Sequence, residues 1–522
     1  MVFEQNLDLK TSNSSYVVAG RTVDSKRPHV IVIGAGTAGS VLAARLSEDP
    51  ELLVTLLEAG PTDDYGAAVL DPSRAPEVWS TLANATMTTM SSSAGPIPMV
   101  QGHIIGGTSA INYMATVRGQ PEDYDAWEAS GLPGWGWSAV LKDFIAAEKD
   151  LDFGPSPIHG DAGPLTVSRW KPAEHTPFQL AFAEGLRQVG APVVEDVNDP
   201  DQLPGIGVFP ATLDAARRRM TTSTAYLTSD VRARPNLDIR SMTSVSVIVI
   251  SEGRAVGVVL DTGQEITAED IVVACGALGS PTLLLRSGIG PADQLTAHGI
   301  TVHADLPVGS TMSDHLGAAL AYHHDAPRNA TGGPAQPVLI GASDGKHIDY
   351  HVFPTVSPIP GDTATSLLLA LLLRSTGRGS VTLADNPDDA PVITAPPFPD
   401  DVEIRLGHAF RQIAAWERSP AAREIDCQPV DPHDLTAPGA VAEALARMTI
   451  SYGHMVGTCP MGSVLDADCR VRGIEGLRVV DASSMPIIPA GNTYLGCVMV
   501  AERVAQSMLS GLTASGETAR DQ

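Results

Sequence analysis

The sequence predicts a mixed α/β protein: a parallel-sheet domain interleaved with a second domain of sheet and helices. Three observations carry this. The apolar, β-branched run Val30-Ile31-Val32-Ile33 breaks into Gly34-Ala35-Gly36-Thr37-Ala38-Gly39 and passes at once into a helical pattern through Val41, Leu42 and Leu46. A second apolar strand, Leu52 to Leu57, ends on Glu58. Related signals sit at both ends of the chain, and the middle looks unrelated to them.

Each residue of the opening unit has a physical task. Gly34 permits a tight turn, Gly36 lets backbone approach a pyrophosphate, and Gly39 allows close helix–strand packing. Thr37 and Ala38 open a helix whose N-terminus offers unpaired N–H groups and partial positive charge to phosphates. Glu58 is placed to accept hydrogen bonds from an adenosine ribose. Strand, glycines, helix, strand and acid in this register imply a bound dinucleotide.

Further along, residues 1–27 read as a tail, and Ala59 to Gly102 as a long covering segment rich in Gly, Pro, Ser, Thr and Asp. Helical spacing predicts helices over Leu141–Leu151, Phe178–Val189, Val402–Trp416 and Leu495–Leu512. Ser244–Ile250 and Ala255–Leu260 read as a hairpin. Ile271–Cys275, Ile348–Phe353, Gly379–Leu383 and Leu477–Val480 read as strands. The expected nucleotide domain is discontinuous, over 28–150, 215–310 and 446–515. Residues 151–214 and 311–445 form the second domain.

Composition narrows the function classes. A chain of 522 residues is too long for one simple core. Sixty acidic residues against 34 basic ones give a net charge of −26, which disfavours nucleic acid and anionic membranes as partners. The longest aliphatic runs, such as Leu367 to Leu373, fall far short of the ~20 residues of a membrane span. The N-terminal stretch lacks the apolar centre of a signal peptide. Five scattered cysteines form neither a disulfide framework nor a C-x-x-C pair. A reducing, cytoplasmic setting is the expectation.

Three more segments carry chemistry. Gly102 to Asn112 sets paired glycines, Gly106 and Gly107, before hydroxyls and an amide, as a loop lying against a flat polar ligand would. Gly276 to Gly290 reads as a glycine turn, a helix with Pro281 in its first turn, and a glycine stop. His454, in Tyr452-Gly453-His454-Met455-Val456-Gly457-Thr458, has the surroundings of a base working near neutral pH, and Asn492 follows as a group that can hold a substrate oxygen. His347 and His351 have helical zinc spacing but lie in a strand pattern, where such positions are ~13 Å apart, so no metal site is expected. Arg217-Arg218-Arg219 reads as a solvated loop or a clamp on the chain's own carboxylates.

These elements, in this order, resemble the glucose–methanol–choline (GMC) oxidoreductases over about Pro28 to Leu512. Gly34 to Glu58 is similar to the family's FAD fingerprint. Gly102 to Gly119 is similar to its first signature, with His103 where an Arg is usual, and Gly276 to Gly290 to its second. Arg217 to Leu227, Arg234-Pro235-Asn236-Leu237 and Asp314-His315 also look like family landmarks. The resemblance implies a Rossmann-like FAD domain under a sheet-and-helix substrate domain. It implies His454 as base and Asn492 as its partner, hydride passing to flavin N5, and an aldehyde or ketone as product. The implied cofactor contacts are Gly34, Gly36, Thr37, Ala38, Gly39, Glu58, Gly106, Gly107, Asn112, Val245, Asp481, Ala482, Asn492 and Thr493. Some relatives attach FAD through a His where Ile111 stands here, so non-covalent FAD is expected. The expected partners are a small alcohol (primary, aryl or medium-chain) and an electron acceptor, either O2 or a quinone or protein. Gly453 stands where many relatives have a bulky aromatic and suggests a roomier pocket. The alternative on the same fold is a hydroxynitrile lyase.

Overall fold

Five parallel strands form the sheet that the opening motif predicts, in the order Leu237–Arg240, Leu53–Leu57, His29–Ile33, Asp270–Val273, Leu477–Val479. The computed structural model describes residues 16–18, 21–23, 27–74, 78, 88–325, 333–356 and 365–520. Of the expected tail, the strands Tyr16–Val18 and Arg21–Val23 pair antiparallel, and most of the rest lies outside the described residues. His29–Ile33 and Leu53–Leu57 are buried throughout, which is why both read as continuous apolar runs rather than alternating ones. Strand order reverses at His29–Ile33, with Leu53–Leu57 on one side and Asp270–Val273 on the other. A crevice for a ligand opens at the carboxyl ends of such strands.

The helix Thr37–Leu46 packs tightly on this sheet because Gly39 has no side chain. A Cβ there would stand 1.8 Å from the Gly34 carbonyl oxygen. The long C-terminal helix, Thr493–Arg520, covers the same helix, and Arg45 binds Glu502 across the contact at 2.8 Å.

The second large sheet is antiparallel, in the order Gln428–Pro429, Leu316–His323, Thr365–Leu372, Tyr350–Val356, Pro337–Gly341, Gly205–Val208, with Thr449–Ser451 also paired to Leu316–His323. Its period-2 alternation sorts side chains between two faces. Leu339, Val352, Leu368 and Ala370 pack under the helices Pro177–Gln188 and Val402–Glu417, with Phe178, Phe182, Phe410 and Trp416. Phe353, Leu369 and Leu371 point the other way, toward Val117, Tyr452 and Ala490. That second face roofs the site.

Three element predictions are corrected. The helix expected over Leu141–Leu151 runs from Trp137 to Ala147, and Glu148–Asp150 is a strand instead. Pro281 lies inside the helix Gly276–Arg286, not in its first turn. Proline lacks the N–H that would bind the Ala277 carbonyl, and the Thr458 hydroxyl takes that carbonyl instead, at 2.7 Å. The last helix starts at Thr493, two residues before the expected Leu495, and is 28 residues long.

Candidate active site

The two glycine segments meet over the crevice. Gly107, at φ +52°, sits so close to Gly36 that a Cβ on it would lie 2.7 Å from the Gly36 Cα. Gly106, at φ +96°, donates its N–H to the Ala35 carbonyl at 2.7 Å. The space beside Gly36 is open, with Gly107 Cα at 3.9 Å the nearest atom to a Cβ placed there. The helix that starts at Thr37 and Ala38 has no capping side chain and no acid in its first turn. Its free N–H groups and positive end therefore suit a phosphate.

Glu58 is buried at the end of its strand, accepting the Ala35 N–H through Oε2 and the Gly60 N–H through Oε1, both at 2.8 Å. Each oxygen keeps a lone pair, as a ribose diol would require. The Glu58 carbonyl accepts the Thr243 N–H at 2.7 Å, which brings the strand that begins at Val245 alongside.

Asn112 is fixed by Arg219, whose Nη1 donates to the Asn112 carbonyl at 2.7 Å and to its Oδ1 at 3.0 Å. Within the basic triplet, Arg217 pairs with Glu174 and Arg218 with Asp214, as expected of a carboxylate clamp. Arg219 departs from that expectation. It is buried, no carboxylate among the described residues pairs with it, and its Nη2 has no hydrogen-bond partner. Burial pushes its guanidinium down to about 10. Ile111 is buried in an apolar cluster with Ile104, Ala110 and Val69.

Asp481 is the buried cap of the short helix Ala482–Ser484. Its Oδ2 accepts from the Gly276 N–H at 2.9 Å and the Ser280 hydroxyl at 2.5 Å, and its Oδ1 accepts from Ser483. Four donors occupy the carboxylate, so its reach is to the second glycine turn. Burial raises its pKa, against the pull of those donors.

His454 and Asn492 come together although 38 residues separate them, with Asn492 Nδ2 3.3 Å from His454 Nε2. Asn492 immediately precedes the helix Thr493–Arg520 and is tied to Val117 twice. Its N–H donates to the Val117 carbonyl at 2.8 Å, and its Oδ1 accepts the Val117 N–H at 3.1 Å. The amide nitrogen is thereby aimed at His454. The His454 ring stacks on Tyr452, centroids 4.0 Å apart, and is buried. Burial, with neighbouring His351 adding to it, pushes its pKa down to about 3. The imidazole is neutral at physiological pH and able to accept a proton.

Sequence reasoning missed most of the surroundings of His454. His315 precedes the strand Leu316–His323, which pairs with Thr449–Ser451 just ahead of Tyr452, so strand register brings the two histidines together. Their Nδ1 atoms are 2.9 Å apart. His351 lies on the same face of the sheet as Phe353, fully buried, with neither ring nitrogen partnered among the described residues. His347, by contrast, binds Asp344 in an exposed turn, so the two do not share one environment. Also unforeseen is a buried charge cluster behind Val117. There Arg118 binds Glu148, Arg169 binds Asp150 and Asp196, and His159 reaches all three carboxylates within 3.1 Å. It is the one group among the described residues with a metal-like donor set, but two guanidiniums already occupy its carboxylates.

A helix end suited to phosphate at a sheet crossover, together with a buried histidine–amide pair, is the combination expected of a nucleotide-dependent oxidoreductase. The chain belongs to the GMC oxidoreductase family: the family's N-terminal model matches residues 29–317 and its C-terminal model residues 375–501. It is similar to 5-(hydroxymethyl)furfural oxidase of Methylovorus sp. (strain MP688), 33% identical over 92% of this chain and 98% of that one. It is equally similar, at 33% identity over 91% and 98%, to pyridoxine 4-oxidase of Microbacterium luteolum. The crystal structure of pyridoxine 4-oxidase from Mesorbium loti superposes with a TM-score of 0.85 at 29% identity, covering 92% of this chain and 99% of that one. The family binds FAD, and its members act on CH–OH donors. No helix among the described residues is long and apolar enough to cross a membrane.

Proposed function

We propose that the protein oxidises primary alcohols whose CH2OH group is carried on a flat aromatic or heteroaromatic ring, with His454 as base and Asn492 as its partner. The His454 Nε2 to Asn492 Nδ2 separation of 3.3 Å carries this reading. One alcohol oxygen can bridge the pair, donating its proton to Nε2 and accepting the amide N–H. Held this way, the hydroxyl is bound, oriented and ready to lose its proton as negative charge develops on oxygen. FAD, when bound, supplies the acceptor for the hydride leaving the carbinol carbon.

The residues fit that cofactor. Gly36, Thr37 and Ala38 offer N–H groups and open space to a pyrophosphate, with Gly34 and Gly39 shaping the turn. Glu58 suits the adenosine ribose, with Val245 beside it. Gly106, Gly107, Asn112, Ala482 and Thr493 would hold the rest of the cofactor, and Asp481 would act by holding the Gly276 turn. Attachment is non-covalent, because Ile111 is a hydrocarbon side chain packed among others.

The ring preference rests on two features. Both named relatives act, by their names, on hydroxymethyl heteroarenes. In addition, Gly453 is exposed and a Cβ built on it meets nothing within 4 Å, so no side chain at that position narrows the approach to His454. That both relatives are named oxidases favours O2 as acceptor.

Anaerobic mixing with 5-hydroxymethylfurfural, pyridoxine and benzyl alcohol tests the proposal. Bleaching of the flavin band by one of them, recovered on admitting air, is expected. His454→Ala should keep FAD and lose most of that bleaching, and unchanged bleaching would sink the role of His454. A flavin that stays oxidised while mandelonitrile releases cyanide would show a lyase instead.

A further inference from the structure

Three buried histidines meet on the inner face of the second sheet, and the reading above uses only one of them. We propose that His315 is a positioning residue for His454: its Nδ1 accepts the His454 Nδ1 proton and so holds the Nε2 lone pair toward Asn492 and the substrate hydroxyl. The inference rests on His454 being the base, and deepens that reading.

The hydrogen-bond directions follow in sequence. Asn492 Oδ1 accepts the Val117 N–H, so its amide nitrogen faces His454. An amide N–H can only donate, so His454 Nε2 must be the acceptor. A neutral imidazole carries one proton, which therefore sits on Nδ1 and points at His315 Nδ1, 2.9 Å away. His315 must accept there and keep its own proton on Nε2. That nitrogen has no hydrogen-bond partner among the described residues, and the nearby Leu373 carbonyl favours protonation of the His315 ring.

The backbone secures this pair. Asp314 Oδ1 accepts both the His315 N–H at 2.8 Å and the His454 N–H at 2.9 Å, while Ser451 donates to Oδ2 at 2.5 Å. One carboxylate thus ties together the two segments that carry the rings. Among the described residues no acid side chain hydrogen-bonds the His454 ring itself. The other ionisable groups around His315 are His351, Arg374 and Tyr452. When Nε2 takes the substrate proton, the resulting cation donates a charge-assisted bond to a neutral His315, which is stronger than the bond it replaces. His315 therefore raises the basicity of His454 as the proton arrives, in a pocket that otherwise lowers it.

Two variants separate acceptor chemistry from bulk. His315→Leu removes the acceptor, whereas His315→Gln retains a carbonyl oxygen able to take the Nδ1 proton. With FAD retained, His315→Leu should slow anaerobic flavin reduction roughly 100-fold and move the acid limb of its pH profile downward. His315→Gln should recover most of both. Equal rates in the two variants, or a wild-type rate in His315→Leu, would overturn the proposal. 15N chemical shifts of the wild-type holoenzyme give a test that needs no variant. Assignment of the His454 proton to Nδ1 is required, and a proton on Nε2 refutes it. Failure of the base assignment shows separately, as undiminished flavin reduction in His454→Ala.

Discussion

The Thr458 hydroxyl donates to the Ala277 carbonyl at 2.7 Å, filling the place of the backbone N–H that Pro281 lacks. A break in one helix is thus repaired by the segment that carries His454. The helix in question opens at the glycine turn held by Asp481. The bond therefore couples the expected FAD-binding region to the expected base.

Thr458→Val keeps the shape and removes the donor, leaving a buried carbonyl unpaired. A loss of about 1–3 kcal/mol is expected in urea unfolding of the holoenzyme. Pro281→Ala supplies a new N–H to the same carbonyl. In that background Thr458→Val should cost markedly less, and equal costs in both backgrounds would show that the hydroxyl does not serve this helix.

His351 predicts acid behaviour. Burial alone pushes its pKa down to about 3. An unfolded histidine titrates near 6.5, so below that pH the unfolded state binds a proton that the folded state refuses. Its contribution is neutral above about pH 6.5 and turns increasingly destabilising as pH falls toward 3. Replacing it by leucine removes this penalty. The stability difference between His351→Leu and wild type should shift in the variant's favour by about 2 kcal/mol between pH 8 and pH 5, measured by denaturant unfolding at each pH.

His159 predicts the opposite limb. Burial opposes its charge, but hydrogen bonds to Asp150, Asp196 and Glu148 prevail and raise its pKa to about 10. A raised histidine stabilises fully below its unfolded value near 6.5, and the gain disappears as pH rises through 10. His159→Gln leaves three buried carboxylates facing two guanidiniums. A cost of about 3–5 kcal/mol at pH 6 is expected, shrinking as pH rises from about 6.5 toward 10. A penalty independent of pH would mean that packing, not charge, sets it.

Arg219 predicts cofactor retention. Its guanidinium reaches the carbonyls of Val69, Ser109 and Asn112 at once. Lysine keeps the charge but cannot span three acceptors. Arg219→Lys should weaken FAD binding by roughly tenfold, a loss of ~1.4 kcal/mol, read as flavin absorbance relative to protein after dialysis. Full retention would place Asn112 and its loop beyond the influence of this residue.

The sequence by itself determined the parallel sheet, the glycine turns at its carboxyl ends, Glu58, and the family. All of these depend on local chemistry: β-branched runs buried on both faces, and positions where a side chain cannot fit or must accept. It also singled out His454 and Asn492, though as residues 38 positions apart with no visible link. Only the tertiary structure decided what surrounds them. Strand register set His315 against His454, and sheet alternation placed His351 and Phe353 on the inner face. The same is true of Thr458 repairing Pro281 and of the charge cluster behind Val117. Such partners join segments tens to hundreds of residues apart, and nothing in local periodicity encodes which distant strand will pair with which. A buried polar group must find its complement wherever the fold delivers one, so the complement is chosen by topology.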